Sequence, residues 1–154
     1  MASENMLFAR EEDLPLEDVQ EIESKKFLIF ESDGLLFGAD VEYVVETINN
    51  HLITKRPMVP EYVGGIITLR GLIIPIIDIR MRLGKQPGEN YSVIVLNVDG
   101  TQVGILADSV AQMANIPRES ILPVPAHNTQ EFISGMCTLQ DGSTMMVLDC
   151  PLLL

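Results

Sequence analysis

Four carboxylates occupy the positions of this chain where chemistry is easiest to imagine: Asp78 and Asp149 each end an aliphatic run, and Asp33 and Asp99 each precede a glycine. Two carboxylates related by an internal repeat can share a proton, one acting as acid and the other as base, which is the arrangement of aspartic proteases. The local sequences refuse that reading. "DIR", "DCP" and the two Asp-Gly pairs lack the Asp-Thr-Gly or Asp-Ser-Gly setting of such a site, and Asp108 in "DSV" comes no closer. Asp33 and Asp99 are sufficiently explained as turn residues. The chain has no glycine-rich phosphate loop, no kinase signature and no nucleophile with an evident base. Cys137 and Cys150 form no C-x-x-C pair and read as small buried thiols, while His51 and His127 stand alone as polar loop residues. No catalytic residue, cofactor or metal is expected, and a carboxylate-dependent hydrolase is the lesser alternative.

The elements available to position a site are short strands. From Phe27 onward the chain consists of brief runs of Ile, Val, Leu and Phe broken by Asp-Gly, Gly-Lys and proline-containing breaks. "KFLIFESDGLLFGAD" and "YSVIVLNVDGTQVGILAD" each read as a hairpin around an Asp-Gly turn. A shift of 66 residues superposes Asp33-Gly34 on Asp99-Gly100, Gly38 on Gly104, Val44 on Val110 and Pro57 on Pro123. After a four-residue insertion around "HNTQ", Gly65 answers Gly135, Thr68-Leu69 answers Thr138-Leu139, and Ile77-Asp78 answers Leu148-Asp149. The expectation is an all-β fold of two pseudo-symmetric small antiparallel barrels, one at about residues 27–84 and the other at about 90–154. Units this small bury too little surface to be stable alone, so a shared core is expected, with room for the two to exchange terminal elements. "DVEYVVETIN" fits a helical stripe or a strand, and its β-branched residues favour the strand.

Charge and composition narrow the partners. The net charge is −12, and eight carboxylates against Arg10 in the first 24 residues account for −7 of it. Such a balance repels phosphate backbones, and with 5% aromatic residues there is little to stack on bases, so nucleic acid is excluded as a partner. No apolar run approaches the roughly 18 residues of a membrane span, and the first residues lack the basic and apolar regions of a secretion signal, which points to the cytoplasm without membrane insertion. Residues 1–24 read as an acidic, poorly ordered extension, in which Leu14, Leu16, Val19 and Ile22 offer at most an amphipathic turn or two. Residues 25–154 form the folded domain.

Where the two copies differ, function has room to sit. Copy two reads "TLQDGSTMMVLD", with a polar Asp141-Gly142 turn, where copy one reads "TLRGLIIPIID". Arg70-Gly71 there stands directly before Leu72, Ile73 and Ile74. An exposed turn arginine is one reading; the other is an interface anchor, with a guanidinium for hydrogen bonds and aliphatic neighbours for area. Pro75 cannot donate to a ladder and so marks an edge strand or bulge that a partner can approach.

The run "PMVPEYVGGIITLRGLIIPIIDIR" from Pro57 to Arg80, followed by "VGILADSV" and "FISGMCTL", resembles the CheW family of bacterial chemotaxis coupling proteins, over about Lys26 to Leu154. Thr68 stands where the family usually has an asparagine before Leu-Arg-Gly. The resemblance implies two five-stranded SH3-like β-barrels around a common core. It also implies a non-enzymatic adaptor that binds the cytoplasmic tip of chemoreceptors and the regulatory domain of the histidine kinase CheA. By matching positions, Arg70 is expected to pair with Glu46, beside an inter-barrel groove for a receptor helix that includes Val44, Gly65, Ile73 and Met113. An adaptor of a pilus-based or other non-flagellar chemosensory system is the alternative within the family. An autonomous structural or ligand-sensing barrel is the alternative outside it.

Overall fold

The computed structural model describes residues 23–49, 53, 63–85, 91–124 and 131–153; residues 1–22 of the acidic extension, His51, His127 and Pro57 lie outside the described residues. The described chain runs β1 (Ser24–Ser32), β2 (Leu35–Asp40), β3 (Val44–Asn49), β4 (Val63–Leu69), β5 (Leu72–Asp78), a four-residue helix α1 (Ile79–Arg82), β6 (Ser92–Val98), β7 (Thr101–Ala107), β8 (Ser109–Pro117), β9 (Ile133–Thr138) and β10 (Thr144–Leu148). The ambiguous segment after Asp40 is a turn followed by strand β3. In the β1–β2 and β6–β7 hairpins both turn residues have positive φ: 54° and 77° at Asp33-Gly34, 52° and 88° at Asp99-Gly100. This is the primed-turn geometry whose twist matches that of the flanking strands.

The strands form two five-stranded sheets, in the orders β8-β1-β2-β10-β9 and β3-β6-β7-β5-β4. Each sheet takes its hairpin from one sequence unit and its other three strands from the other unit. The sheets are mixed, which corrects the expectation of purely antiparallel pairing: β10 runs parallel to β2, and β5 parallel to β7. The reason is connectivity. These partners are not consecutive in the chain, so no tight turn forces them to run in opposite directions. Pro75 meets its expectation locally, although β5 as a whole lies inside the sheet order rather than at its end. Its pairing with β7 covers only Ile76–Asp78, so Leu72–Pro75 is flanked by β4 alone, and the proline sits where no ladder partner is lost.

Burial explains why β1 and β6 read as nearly continuous apolar runs: both of their faces are covered. On one face of β1, Phe27 and Ile29 join Ile116, Cys137, Met145 and Val147 in a cluster belonging to the first sheet. On one face of β6, Val93 and Val95 join Ile67, Ile74 and Ile76 in the corresponding cluster of the second. The alternate residues, Leu28 and Phe30 of β1 with Ile94, Leu96 and Val98 of β6, enter a third cluster that draws on both sheets. Phe30 and Phe37 stack there with ring centroids 5.5 Å apart. Each large side chain so buried contributes about 1.5–3 kcal/mol, so the shared cluster is a principal source of cohesion between the sheets. Gly38 and Gly104, equivalent in the repeat, each lie against a side chain from the neighbouring strand: a Cβ at Gly38 would come within 2.7 Å of Met145 Sδ, and one at Gly104 would run into Ile76.

Candidate partner-binding site

The turn between β4 and β5 is as short as the Asp-Gly turns. Leu69 and Leu72 are paired, leaving Arg70 and Gly71 as a two-residue loop with φ of 52° and 82°. Positive φ suits Asn, Asp or Gly; an arginine there carries a steric cost from its Cβ with no short polar group to offset it. The guanidinium supplies a contact instead. Arg70 Nη1–H donates to Glu46 Oε2 at 2.5 Å and Nη2–H to Oε1 at 3.2 Å, a two-pronged ion pair. These hydrogen bonds, and then the arginine's charge, hold the Glu46 carboxyl below its ordinary range against partial desolvation. Glu46 lies on β3, at the opposite end of the sheet order from β4, so the pair ties the two ends of the second sheet together. The arginine side chain is 69% exposed and the glutamate 28%.

The other expected site residues are placed by strand parity. Directly opposed residues of an antiparallel pair share a face. Val44 opposes Leu96 and packs against the shared cluster. Ile73, 64% exposed, lies on the face of β5 that ends in buried Ile77 of the same cluster. Met113, 57% exposed, belongs to β8 of the first sheet and opposes Leu28, again a residue of the shared cluster. Val44, Ile73 and Met113 thus stand on faces that lead toward the inter-sheet core. Gly65, with φ of 141°, lies at a register shift in the β4–β5 ladder, where glycine's freedom is used. Arg70 and Glu46 are in contact; Met113 stands apart from them on the other sheet.

A second ionic cluster was not anticipated from sequence. Arg80 of α1 donates through Nε to Asp108 Oδ1 at 2.8 Å, through Nη2 to Asp108 Oδ2, and through Nη1 to Asp33 Oδ1 at 3.1 Å. Lys85 Nζ lies 3.5 Å from Asp33 Oδ2, and the Asp33 amide donates to Asp108 Oδ2 at 2.9 Å. Asp33 belongs to the turn of the first sheet and Arg80 follows β5 of the second, so the cluster fastens one to the other. The hydrogen bonds from Arg80 lower the Asp108 pKa from its ordinary value. Asp78 is buried and caps α1 by accepting from the Arg80 amide at 3.0 Å; burial raises its pKa. Asp33 and Asp78, two of the four aspartates that invited comparison with a protease, therefore have structural partners. The available signal was asymmetry: shifted by 66 residues, Asp108 corresponds to Glu42, and the residue answering Arg80 is Pro151.

Both cysteines are buried and free, and desolvation pushes the Cys150 thiol up to about 12. Among the described residues no group of three or more His, Cys, Asp or Glu is placed to hold a metal ion, and no helix is long and apolar enough to cross a membrane.

Residues 26–154 match the CheW-like domain family. The chain is 33% identical over 130 residues to the chemotaxis protein CheW of Klebsiella aerogenes, covering 80% of this chain and 77% of that protein. It is 30% identical over 137 residues to the CheW of Treponema pallidum, covering 82% and 80%. The crystal structure of the scaffolding protein TtCheW from Thermoanaerobacter tengcongensis superposes with a TM-score of 0.75 at 32% identity, over 81% of this chain and 88% of that one. With the repeat, the two mixed sheets and the Leu-Arg-Gly turn in place, the chain belongs to the CheW family of chemotaxis adaptors, non-enzymatic scaffolds that couple chemoreceptors to the CheA kinase.

Proposed function

We propose that this chain joins the cytoplasmic tip of a chemoreceptor to the regulatory domain of CheA, in the cytoplasm, through a groove between two SH3-like barrels formed by residues 25–154, with residues 1–24 as an extension. The observation that carries the reading is the two-pronged Arg70–Glu46 pair held in a positive-φ turn beside exposed Ile73. A side chain kept in a costly backbone conformation at an exposed position is a feature of sites that do work for a partner. A receptor tip is a helical hairpin, and a helix in an apolar groove gains affinity from aliphatic contacts along one face. Val44, Ile73 and Met113 provide that area, with methionine adapting to an irregular partner. The Arg70–Glu46 pair fixes the groove's edge and supplies orientation and specificity. Gly65 belongs to the same groove by family likeness.

The test is a three-component pull-down with a receptor cytoplasmic fragment and CheA. Ile73→Glu and Met113→Glu, both at exposed positions, are expected to lose receptor capture by tenfold or more, in the range typical of interface anchors, while still capturing CheA. Retained receptor capture by both variants would contradict the groove.

A further inference from the structure

The 66-residue repeat relates Glu46 to Gln112 and, through the Thr-Leu pairs, Arg70 to Gln140. The structure keeps the first equivalence in its ladders, while Arg70 and Gln140 both lie in hairpin loops, with positive φ at Arg70 alone of the two. Glu46 opposes Val95 of β6 and Gln112 opposes Ile29 of β1, residues that are themselves 66 apart, and each pairing follows a register shift of one residue. Val95 belongs to the inner cluster of the second sheet and Ile29 to that of the first. At the second sheet the mouth of the inner cluster is bridged by the Arg70–Glu46 pair. At the first sheet the same two positions carry neutral amides, and they line an open cavity of about 480 Å³.

The floor of that cavity is apolar: Ile29, Ala114, Ile116 and Leu139. Its volume is that of a small ligand pocket, ample for one large side chain. The loop that shapes its rim, between Thr138 and Thr144, is one residue longer than its counterpart in the β4–β5 hairpin and is folded by Asp141, whose Oδ1 accepts from the Ser143 amide at 2.9 Å and from Ser143 Oγ–H at 2.5 Å. Those hydrogen bonds lower the Asp141 pKa, so the carboxylate is charged at neutral pH. Among the described residues that line the cavity, Asp141 is the one charge. A protein of net charge −12 with a carboxylate on this rim complements a cation and repels an anion.

We infer that the open mouth between Gln112 and Gln140 is a second partner-binding site, which takes a large apolar side chain, such as leucine, flanked by lysine or arginine on a partner protein. It is distinct from the groove beside Arg70: the equivalent position there is occupied by an ion pair, whereas here the amides leave the apolar floor reachable and can hydrogen-bond the incoming backbone.

The experiment is a ¹H–¹⁵N NMR titration of the full chain with two probes, acetyl-Lys-Leu-Lys-amide and acetyl-Glu-Leu-Glu-amide. The Lys peptide should shift the amides of Ala114, Ile116 and Leu139, and the Glu peptide should bind more weakly by about threefold or more, as expected for exposed charges. The double variant Q112E/Q140R, which installs the second sheet's ion pair at this mouth, should abolish both sets of shifts. Should that variant fail to fold, Asp141→Asn at the exposed loop serves instead and should erase the difference between the peptides while keeping the shifts. Absence of shifts at these amides, shifts that survive closure, or equal affinity for both peptides in the unaltered protein would overturn the proposal. None of these readouts depends on a receptor or on Arg70, so the groove's failure and this site's failure remain separable.

Discussion

Arg70 reaches Glu46 from a backbone turned to a φ of 52°, and the contact spans the two ends of the second sheet. A guanidinium held this way combines two opposing effects on the fold: a backbone disfavoured for a residue with a long side chain, and an ion pair across the sheet ends. Arg70→Gly relieves the first and removes the second, while Arg70→Ala removes the pair and keeps the strained backbone. Thermal unfolding should therefore place Arg70→Gly within about 3 °C of the unaltered protein, with Arg70→Ala below Arg70→Gly. A larger fall for the glycine variant would mean that the pair is mainly a stabilising device.

The Arg80–Asp108–Asp33 cluster makes a prediction in pH. The Asp108 pKa is lowered in the folded state, so its contribution is present above the unfolded value of about 3.9 and lost as pH falls through the folded value. Asp108→Asn should cost about 1–2 kcal/mol at pH 7, and the deficit should shrink as pH falls below 4. Asp78 runs the other way. Its folded pKa is raised by burial, so the charged form opposes folding at neutral pH and the penalty fades as pH falls through that value. Asp78→Asn keeps a capping acceptor for the Arg80 amide and should raise stability at pH 7, with no gain left below about pH 3.9. Urea unfolding at pH 7, 5 and 3 checks both.

Gly38 and Gly104 are equivalent in the repeat but not in what they touch. An added Cβ at Gly38 meets the far end of flexible Met145, whereas at Gly104 it meets Ile76 and, at 3.0 Å, Val93 Cγ1, both β-branched. Both alanine variants should be less stable, by about 1–3 kcal/mol, with Gly104→Ala the worse. Equal losses would show that the second inner cluster can repack as readily as methionine.

Cys137 and Cys150 are buried, and desolvation raises both thiol pKa values, that of Cys150 to about 12. At pH 8 an aromatic disulfide reagent should leave both unmodified in the folded protein and titrate both in concentrated guanidinium chloride. Rapid reaction of either thiol in the folded state would mean that its cluster opens locally.

Much of this architecture was legible because the repeat is written in residues with fixed backbone demands. Asp33-Gly34 and Asp99-Gly100 announced two hairpins, and both have the turn geometry that the dipeptide favours. The exchange of strands between the sheets was less legible: an internal repeat tells which segments are alike, whereas β2–β10 and β5–β7 pairing joins segments far apart in sequence. Parallel register in particular has no local turn to signal it. At the site, Arg70 stood out because the second copy lacks it, and its pairing with Glu46 came from family likeness rather than spacing. The positive φ at Arg70 was hidden, since arginine does not advertise it. The Arg80 cluster and the Gln112–Gln140 mouth were hidden for a related reason: each becomes meaningful only when strands from both units are brought side by side.

The most direct measurement is receptor-coupled CheA activity in assemblies reconstituted from receptor, kinase and this adaptor, comparing the unaltered chain with Arg70→Gly and Glu46→Gln. Removing either half of the pair should reduce receptor-dependent kinase activation by tenfold or more, a loss of the size typical of an interface anchor, while thermal unfolding of Arg70→Gly stays close to that of the unaltered chain. Full activation by a folded Arg70→Gly variant would contradict the assignment of the Arg70–Glu46 pair to the coupling surface.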